Sequence, residues 1–357
     1  MKKLRTLMVG IIAIIVLLIA GAAALNRSSG MSGAKVVNIY NWGDYIDPEL
    51  ITKFEKQTGY KINYETFDSN EAMLTKIKQG GTAYDLAVPS DYMIQKMKKA
   101  HLLKPLDKSK IHGIGNISPQ FLDQPFDRGN RYSIPYFWGT LGVVYNDRYY
   151  RESDVDSWNK LWDDKFRGQI MFVDGAREFM GIGLASLGYS LNSRNDARIN
   201  RAYDRLKSLT GNVKAIVSDE IKMYMENEEG RVAVTYSGEA SEMLAENSHL
   251  HYVIPSEGTN LWFDNIVIPK TARNMKGAYA FINFMLEPEN AAKNAEYIGY
   301  ATPNGRAMKY LPKSVTGDRQ FYPSQLLLKK MEVYEDLGPA CIEKYNDLYL
   351  ELKMYRH

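Results

Sequence analysis

Residues 35–90 read KVVNIYNWGDYIDPELITKFEKQTGYKINYETFDSNEAMLTKIKQGGTAYDLAVPS, and the switching of hydrophobic period within them decides the fold. KVVNIYNW (35–42) alternates and is rich in β-branched residues, which predicts a strand. Asp47-Pro48 then supplies an N-cap and a proline at the first helical position, so a helix is expected to run to Thr58, before Gly59. KINYETF (61–67) is a second strand, Ser69 caps a helix to about Gln79, and Gly80-Gly81 stops it. DLAVPS (85–90) reads as a short buried strand and Asp91 to Ala100 as a helix. This β-α-β-α-β-α rhythm belongs to a mostly parallel sheet with helices on its faces. Ligands of such sheets sit beyond the carboxyl ends of the strands. Those ends are Asn41-Trp42, Thr66–Asp68 and Pro89–Tyr92.

Downstream, RYSIPYFWGTLGVVYN (131–146) and LWFDNIVIPK (261–270) are two long extended stretches. Between them a second unit begins at Trp158–Lys165, with strands at QIMFVD (169–174) and RVAVTYSG (231–238) and helices at Ala176–Leu187, Asn195–Thr210 and Glu239–Asn247. A helix at Ala278–Leu286 and a helical tail from Tyr322 to Arg356 complete the reading. The expectation is an α/β protein of two lobes, with two crossing hinge strands and a ligand cleft between the lobes. Residues 35–140 and 263–308 would build lobe 1. Residues 141–262 and a C-terminal helical part, 309–357, would build lobe 2.

The first 25 residues fix the compartment. Lys2, Lys3 and Arg5 precede Leu7–Leu25, 19 residues without a charge, and Ala22-Ala23-Ala24 suits a signal peptidase. At about 1.5 Å per residue this run is also long enough to cross a bilayer. Residues 1–25 therefore read as a signal peptide or membrane anchor, and residues 26–34 as a linker. The remainder is expected to be exported, either held at the outer face of the cytoplasmic membrane by residues 7–25 or released after cleavage as a periplasmic or extracellular protein. Without Lys2, Lys3 and Arg5, 42 basic residues face 42 acidic ones, so no basic field suggests nucleic acid. Cys341 is the single cysteine, which excludes an intramolecular disulfide.

Enzyme motifs are missing: there is no HExxH, P-loop, GxSxG or CxxC. No catalytic residue, cofactor or metal site is assigned. Gly181-x-Gly183 lacks the third glycine of a nucleotide loop and reads as packing. His249-x-His251 shows no third ligand. What recurs instead is a pairing of aromatics with carboxylates: NWGDY (41–45), VPSDY (88–92), DGAREF (174–179), VTYSGE (234–239), LWFD (261–264) and GYATPN (299–304). A small organic polycation asks for that pairing. Aromatic faces attract ammonium groups and cover the methylenes between them, and carboxylates give charge-assisted hydrogen bonds to each end.

These segments, in this order, resemble the exported polyamine-binding proteins of spermidine/putrescine ABC importers, within the periplasmic-binding-protein superfamily. NWGDYI-P, YDLAVPSDY, DRGNRYSIPYFWGT, DGARE, LWFD and IGYATPN carry the likeness over about residues 35–355. The resemblance implies a two-lobed type II fold and a role in capturing polyamine for permease subunits coupled to a cytoplasmic ATPase. It implies ligand contacts from Trp42, Tyr45, Ser90, Tyr92, Glu178, Ser218, Trp262, Asp264 and Tyr300. Glu178 and Asp264 would receive ammonium groups, and Trp42, Trp262 and Tyr300 would flank the alkyl chain. The chain departs from the family at Gly43, at Gly175 (often Asp), at Tyr236 (Trp) and, in a looser alignment, at Tyr334 (Gln). Tyr236 is kept among the ligand-binding candidates. Gly175 removes a carboxylate, which should narrow the preference for spermidine over putrescine unless Asp174, Glu239 or Glu332 substitutes. Rival readings are another solute, such as ferric iron at Tyr149 and Tyr150, a secreted hydrolase using Glu178 and Asp264 as an acid/base pair, and a surface adhesin.

Overall fold

The structure is a computed structural model that describes residues 35–218 and 220–355. The signal or anchor assigned to 1–25 and the linker assigned to 26–34 lie outside the described residues. Among those described, no helix is long and apolar enough to cross a membrane.

Nine strands form one mixed sheet: β1 (Val36–Trp42), β2 (Lys61–Phe67), β3 (Leu86–Ala87), β4 (Ser133–Asn146), β5 (Ile170–Val173), β6 (Val213–Val217), β7 (Val232–Tyr236), β8 (Leu250–Val253) and β9 (Leu261–Val267). Their order is β2-β1-β3-β9-β4-β7-β5-β6, with β8 also on β4. β1 runs parallel to β2 and β3, and β5 parallel to β6 and β7. Each parallel trio follows from its connections, since a helix must return the chain before the next strand can start in the same direction. Asp47 caps the helix Pro48–Thr58 through Glu49 N–H, and Gly59 ends it in the left-handed region. Ser69 caps Asn70–Gln79 through Ala72 N–H.

β4 joins the two halves. All its 14 residues are buried. From Ser133 to Thr140 it pairs antiparallel with β9, and from Leu141 to Tyr145 with β7, while Val143–Asn146 also pair with β8. One strand therefore changes partners at Thr140/Leu141. A second hydrophobic cluster, containing Leu141, Val143, Phe172, Phe179 and Leu206, gathers on the far half. The two extended stretches read from the sequence are thus neighbouring antiparallel strands at the centre of the sheet.

Several elements differ from the reading: β6, β8 and the helix Glu220–Glu226 were not expected. The tail, read as a helix from Tyr322, is helical over its described residues at Pro339–Met354, apart from a one-turn helix at Gln325–Leu328. Pro323 lacks an N–H, and Gly338 sits at φ 82°, so an uninterrupted helix is excluded there. The tail also divides its packing: Met331 and Val333 join the cluster containing β1, whereas Tyr334, Leu337, Tyr345 and Tyr349 join the far one. The helix Pro288–Ile298 was not anticipated, although Pro288 and a left-handed Gly299 bracket it. Gly183 does pack tightly, with an added Cβ falling 2.8 Å from Leu206.

A buried carboxylate ties the discontinuous first half together. Asp85, 1% exposed, accepts from the main-chain N–H groups of Asn38, Arg273 and Asn274. It joins β1 to the segment that starts the helix Met275–Leu286. Replacing it by Ala strands three donors, so Asp85→Ala should lower the free energy of unfolding by roughly 2–4 kcal/mol. Urea denaturation measures this; a loss below about 1 kcal/mol would contradict the role.

Candidate functional site

The carboxyl ends of β1 and β3 and the start of β9 meet at Asp264, a residue of β9 that is 6% exposed. Tyr45 donates its hydroxyl to Asp264 Oδ2 at 2.5 Å, and Ser90 donates to Oδ1 at 2.7 Å. Ser90 occupies the N-cap of the helix Asp91–Lys99 yet makes no side-chain cap bond. Its hydroxyl is turned to Asp264 instead. Burial pushes the Asp264 carboxyl up to about 6, and the two hydroxyls hold it from rising further.

Glu178 stands in the first turn of the helix Ala176–Ser186, where the helix dipole favours its charge. It accepts from the Tyr236 hydroxyl and from its own main-chain N–H, and Arg177 also favours its ionised form. Burial outweighs these and raises its pKa. Tyr236 in turn lies edge-on to Trp262 (6.4 Å between centroids, 85°). Trp262 meets Tyr300 at 5.7 Å and 68°, and Tyr300 meets Tyr45 at 5.4 Å and 84°. A row of four rings thus runs from the carboxylate of Glu178 to that of Asp264. Each contact is the edge-to-face geometry that aromatic quadrupoles prefer. Two glycines let the row seat: a Cβ on Gly139 would fall 2.3 Å from Trp262, and one on Gly238 2.1 Å from Tyr300.

Seven candidates from the sequence, Tyr45, Ser90, Glu178, Tyr236, Trp262, Asp264 and Tyr300, therefore fall in one connected constellation. Tyr92 lies beside it, with its pKa raised mainly by burial and also by the charges of Glu71 and Glu178. Trp42 packs on Phe67 at 4.6 Å, and its indole N–H is buried without a partner. Ser218 is exposed just past the end of β6, where its carbonyl accepts from Ile221. Trp42 packs against the same hydrophobic cluster as Tyr45, Trp262 and Tyr300, but the ring pair it makes is with Phe67.

Asp91 escaped the sequence reading, and Tyr334 was noted there only as a departure from the family. Asp91 is 2% exposed and accepts from Phe263 N–H at 3.1 Å and Tyr92 N–H at 2.5 Å, pinning the helix start to β9. Burial pushes it up to about 8, and the charge on Asp264 adds to the rise. Its place in the first turn had a sufficient explanation in the helix dipole, which hid its burial. Tyr334 is 6% exposed with its hydroxyl buried and unpartnered, and the Arg177 guanidinium stacks 4.2 Å over its ring. It feels the charges of Glu178 and Asp91.

The substitute carboxylates are engaged elsewhere. Asp174 takes Lys353 and the Tyr349 hydroxyl, Glu239 takes the Thr235 hydroxyl, and Glu332 takes Ser190 and Asn192. A Cβ at Gly175 would fall 2.0 Å from Glu178 Oε2. An Asp there would first displace Glu178 from its cap, so it would not simply add a third charge. The iron reading loses its pair of ligands: Tyr149 lies 45% exposed under Arg231, while the Tyr150 hydroxyl donates to Lys165 O. His249 and His251 do share a face, and both bind Asp147, at 2.9 and 3.0 Å. No group of three or more His, Cys, Asp or Glu able to hold a metal ion occurs among the described residues.

The Tyr45 hydroxyl is a donor to the ionised form of Asp264, so Tyr45→Phe should raise the Asp264 pKa above its value of about 6. A hydrogen bond to a charged group is worth roughly 1.5–3 kcal/mol, or about 1–2 pKa units. Carboxyl-carbon NMR titration of the ligand-free protein reads the shift; an unchanged pKa would show that the hydroxyl does not act on the charge.

The profile of the bacterial extracellular solute-binding proteins matches residues 49–320. The spermidine/putrescine-binding periplasmic protein of Escherichia coli K12 is 39% identical over 343 residues, covering 95% of this chain and 98% of that one. The Pseudomonas aeruginosa putrescine-binding periplasmic protein SpuD is 31% identical over 345 residues, covering 91% and 93%. Among solved structures, the spermidine/putrescine ABC transporter substrate-binding protein PotD of Streptococcus pneumoniae superposes with a TM-score of 0.88 at 57% identity, covering 90% of this chain and all of that one. With a sheet joined by two central strands, a carboxylate at each end of an aromatic row, and this coverage, the chain belongs to the bacterial extracellular solute-binding proteins.

Proposed function

We propose that this protein captures a polyamine, spermidine and/or putrescine, between two lobes and delivers it to an ABC permease driven by a cytoplasmic ATPase. The observation that carries the reading is the row of four rings with Asp264 at one end and Glu178 at the other. An alkyl diamine has the same plan: two cations joined by methylenes. Glu178 and Asp264 take the terminal ammonium groups, Trp262 and Tyr300 cover the methylenes, and Tyr45, Ser90 and Tyr236 hold the carboxylates in place. Tyr92 and Trp42 border the ligand. No bond is made or broken. The names of the two curated relatives described above, binding proteins for spermidine and putrescine or for putrescine, support this reading over a hydrolase.

The lobes are assigned as 35–140 with 263–308, and 141–262 with the C-terminal part, 309–357. The change of β4 partners at Thr140/Leu141 supports the first boundary, and the start of β9 at Leu261 supports the second. The final part is kept at 309–357: Gln320 accepts from Tyr252 N–H, and Glu332 exchanges main-chain bonds with Thr259 and Leu261, which supports its place beside 141–262. Binding then consists of the ligand favouring the closed arrangement over the open one.

Glu178→Gln and Asp264→Asn should each weaken putrescine and spermidine binding by about 2 kcal/mol or more, because a desolvated ammonium loses an ionised partner. Isothermal titration decides it, and unchanged affinity in both variants would remove the site assignment.

Binding should also release protons. The Asp264 carboxyl lies near 6 in the ligand-free protein, against an ordinary value of 3.8, and an ammonium favours its ionised form. Affinity should therefore rise with pH and level off above about 6–7. In the ligand-free protein the sign is opposite: the raised pKa contributes stability at low pH that is lost as pH climbs from about 3.8 through about 6. Titration at pH 6 in buffers of different ionisation enthalpy should show proton release on binding. Proton uptake would contradict the role given to Asp264.

A further inference from the structure

Residues 333–336 form a strap that both halves of the molecule grip. On the far half, Asn192 donates to Val333 O at 2.9 Å and accepts from Glu335 N–H at 2.8 Å. Arg177 donates to Glu335 O at 3.0 Å and stacks on the Tyr334 ring, and Arg194 donates to Asp336 O at 3.1 Å. These contacts bind the strap to the half that contains Glu178. From the near half comes the helix Asp91–Lys99. Its Gln95 donates to Tyr334 O at 3.2 Å and accepts from Asp336 N–H at 3.0 Å. Lys99 adds an ion pair to Asp336.

Gln95 stands one helical turn after Asp91, on the same side of the helix. Its amide uses both its donor and its acceptor on main chain, as a neighbouring strand would. The bond pair is half-buried and uncharged, so neither salt nor pH weakens it. The Lys99–Asp336 pair differs: the Lys99 side chain is 69% exposed, and exposed pairs contribute little and are screened. Gln95 directs its side-chain amide bonds to the strap and not to the row of rings. It grips the backbone of the residue whose hydroxyl lies beside Glu178.

We propose that Gln95 is a positioning residue that latches the closed form: it ties the near-half helix to the strap, and so sets how long the lobes stay shut over any ligand. The inference rests on the reading of a two-lobed polyamine receptor. Because these amide bonds span the two halves, their loss speeds opening without altering entry. It also leaves selectivity alone, because the Gln95 amide bonds go to main chain and not to the two carboxylates of the row.

The test is stopped-flow tryptophan fluorescence on wild type and Gln95→Ala with putrescine and spermidine at 150 mM salt. Dissociation of both ligands should accelerate about tenfold or more, association should stay within twofold, and the ratio of the two affinities should not change. Lys99→Met should stay within about twofold of wild type throughout. Should Gln95→Ala fail to fold, Gln95→Met, which keeps the side-chain length, carries the same expectation. Unchanged release overturns the latch, as does an effect on one ligand alone or on association alone. Failure of wild type to bind either polyamine would instead remove the proposed function, so the two failures are separable.

Discussion

Burying a carboxylate without a cation beside it is expensive, and much of this molecule is arranged around that cost at Asp264. Its two oxygens are each met by a hydroxyl, one from Tyr45 after β1 and one from Ser90 after β3. Each hydroxyl is fixed by something else. The Tyr45 ring packs edge-on to Phe137 and Tyr300, and Ser90 is held by Asn70 through both its N–H and its hydroxyl. Beneath them Asp91 binds the backbone of Phe263, so the strand carrying Asp264 cannot drift from the helix carrying Ser90. Protonation still remains an easy escape, as the pKa near 6 records. A cation beside such a carboxylate offsets the cost further, since a full charge attracts it more strongly than dipoles do, although the cation gives up its own hydration.

Glu178 solves the same problem by different means. It sits at a helix N-terminus, where main-chain dipoles offset its charge, and it folds back over Gly175. The Tyr236 hydroxyl and Arg177 add to this. The two ends of the aromatic row therefore differ in chemistry. Asp264 is held by side-chain hydroxyls from the near half, Glu178 largely by its own helix.

Much of this was legible in the sequence because it rests on local signals. Period-2 strands, Asp47-Pro48, Ser69 and the glycine stops act over a few residues, and the structure keeps them within a residue or two. The candidate residues were legible for another reason: Trp, Tyr and carboxylate side chains recur at strand ends, where a parallel sheet exposes its binding edge. What stayed hidden depends on distance along the chain. The tail was read as a helix because its apolar residues are frequent, but Met331 and Val333 serve one cluster and Tyr334 and Leu337 the other. A segment divided between two cores keeps no single periodic face. Asp91, Asp174 and Glu332 were equally opaque, since whether a carboxylate is available or occupied is decided by Phe263, Lys353 and Ser190, far away in sequence.

The insertion of β9 between β3 and β4 has a consequence for how the chain comes to be folded. Ala87 finds its neighbour only at Val267, and Asp85 its donors only at Arg273 and Asn274. The N-terminal three strands therefore form an open edge until most of the polypeptide has emerged. Closing so long a loop precedes any reward from the contacts it makes, which slows assembly and leaves an unpaired strand exposed meanwhile. A chain of this topology cannot be finished in order from its N-terminus. Its first half stays a partial structure, and β9, the strand that carries Asp264, is the one that closes its open edge.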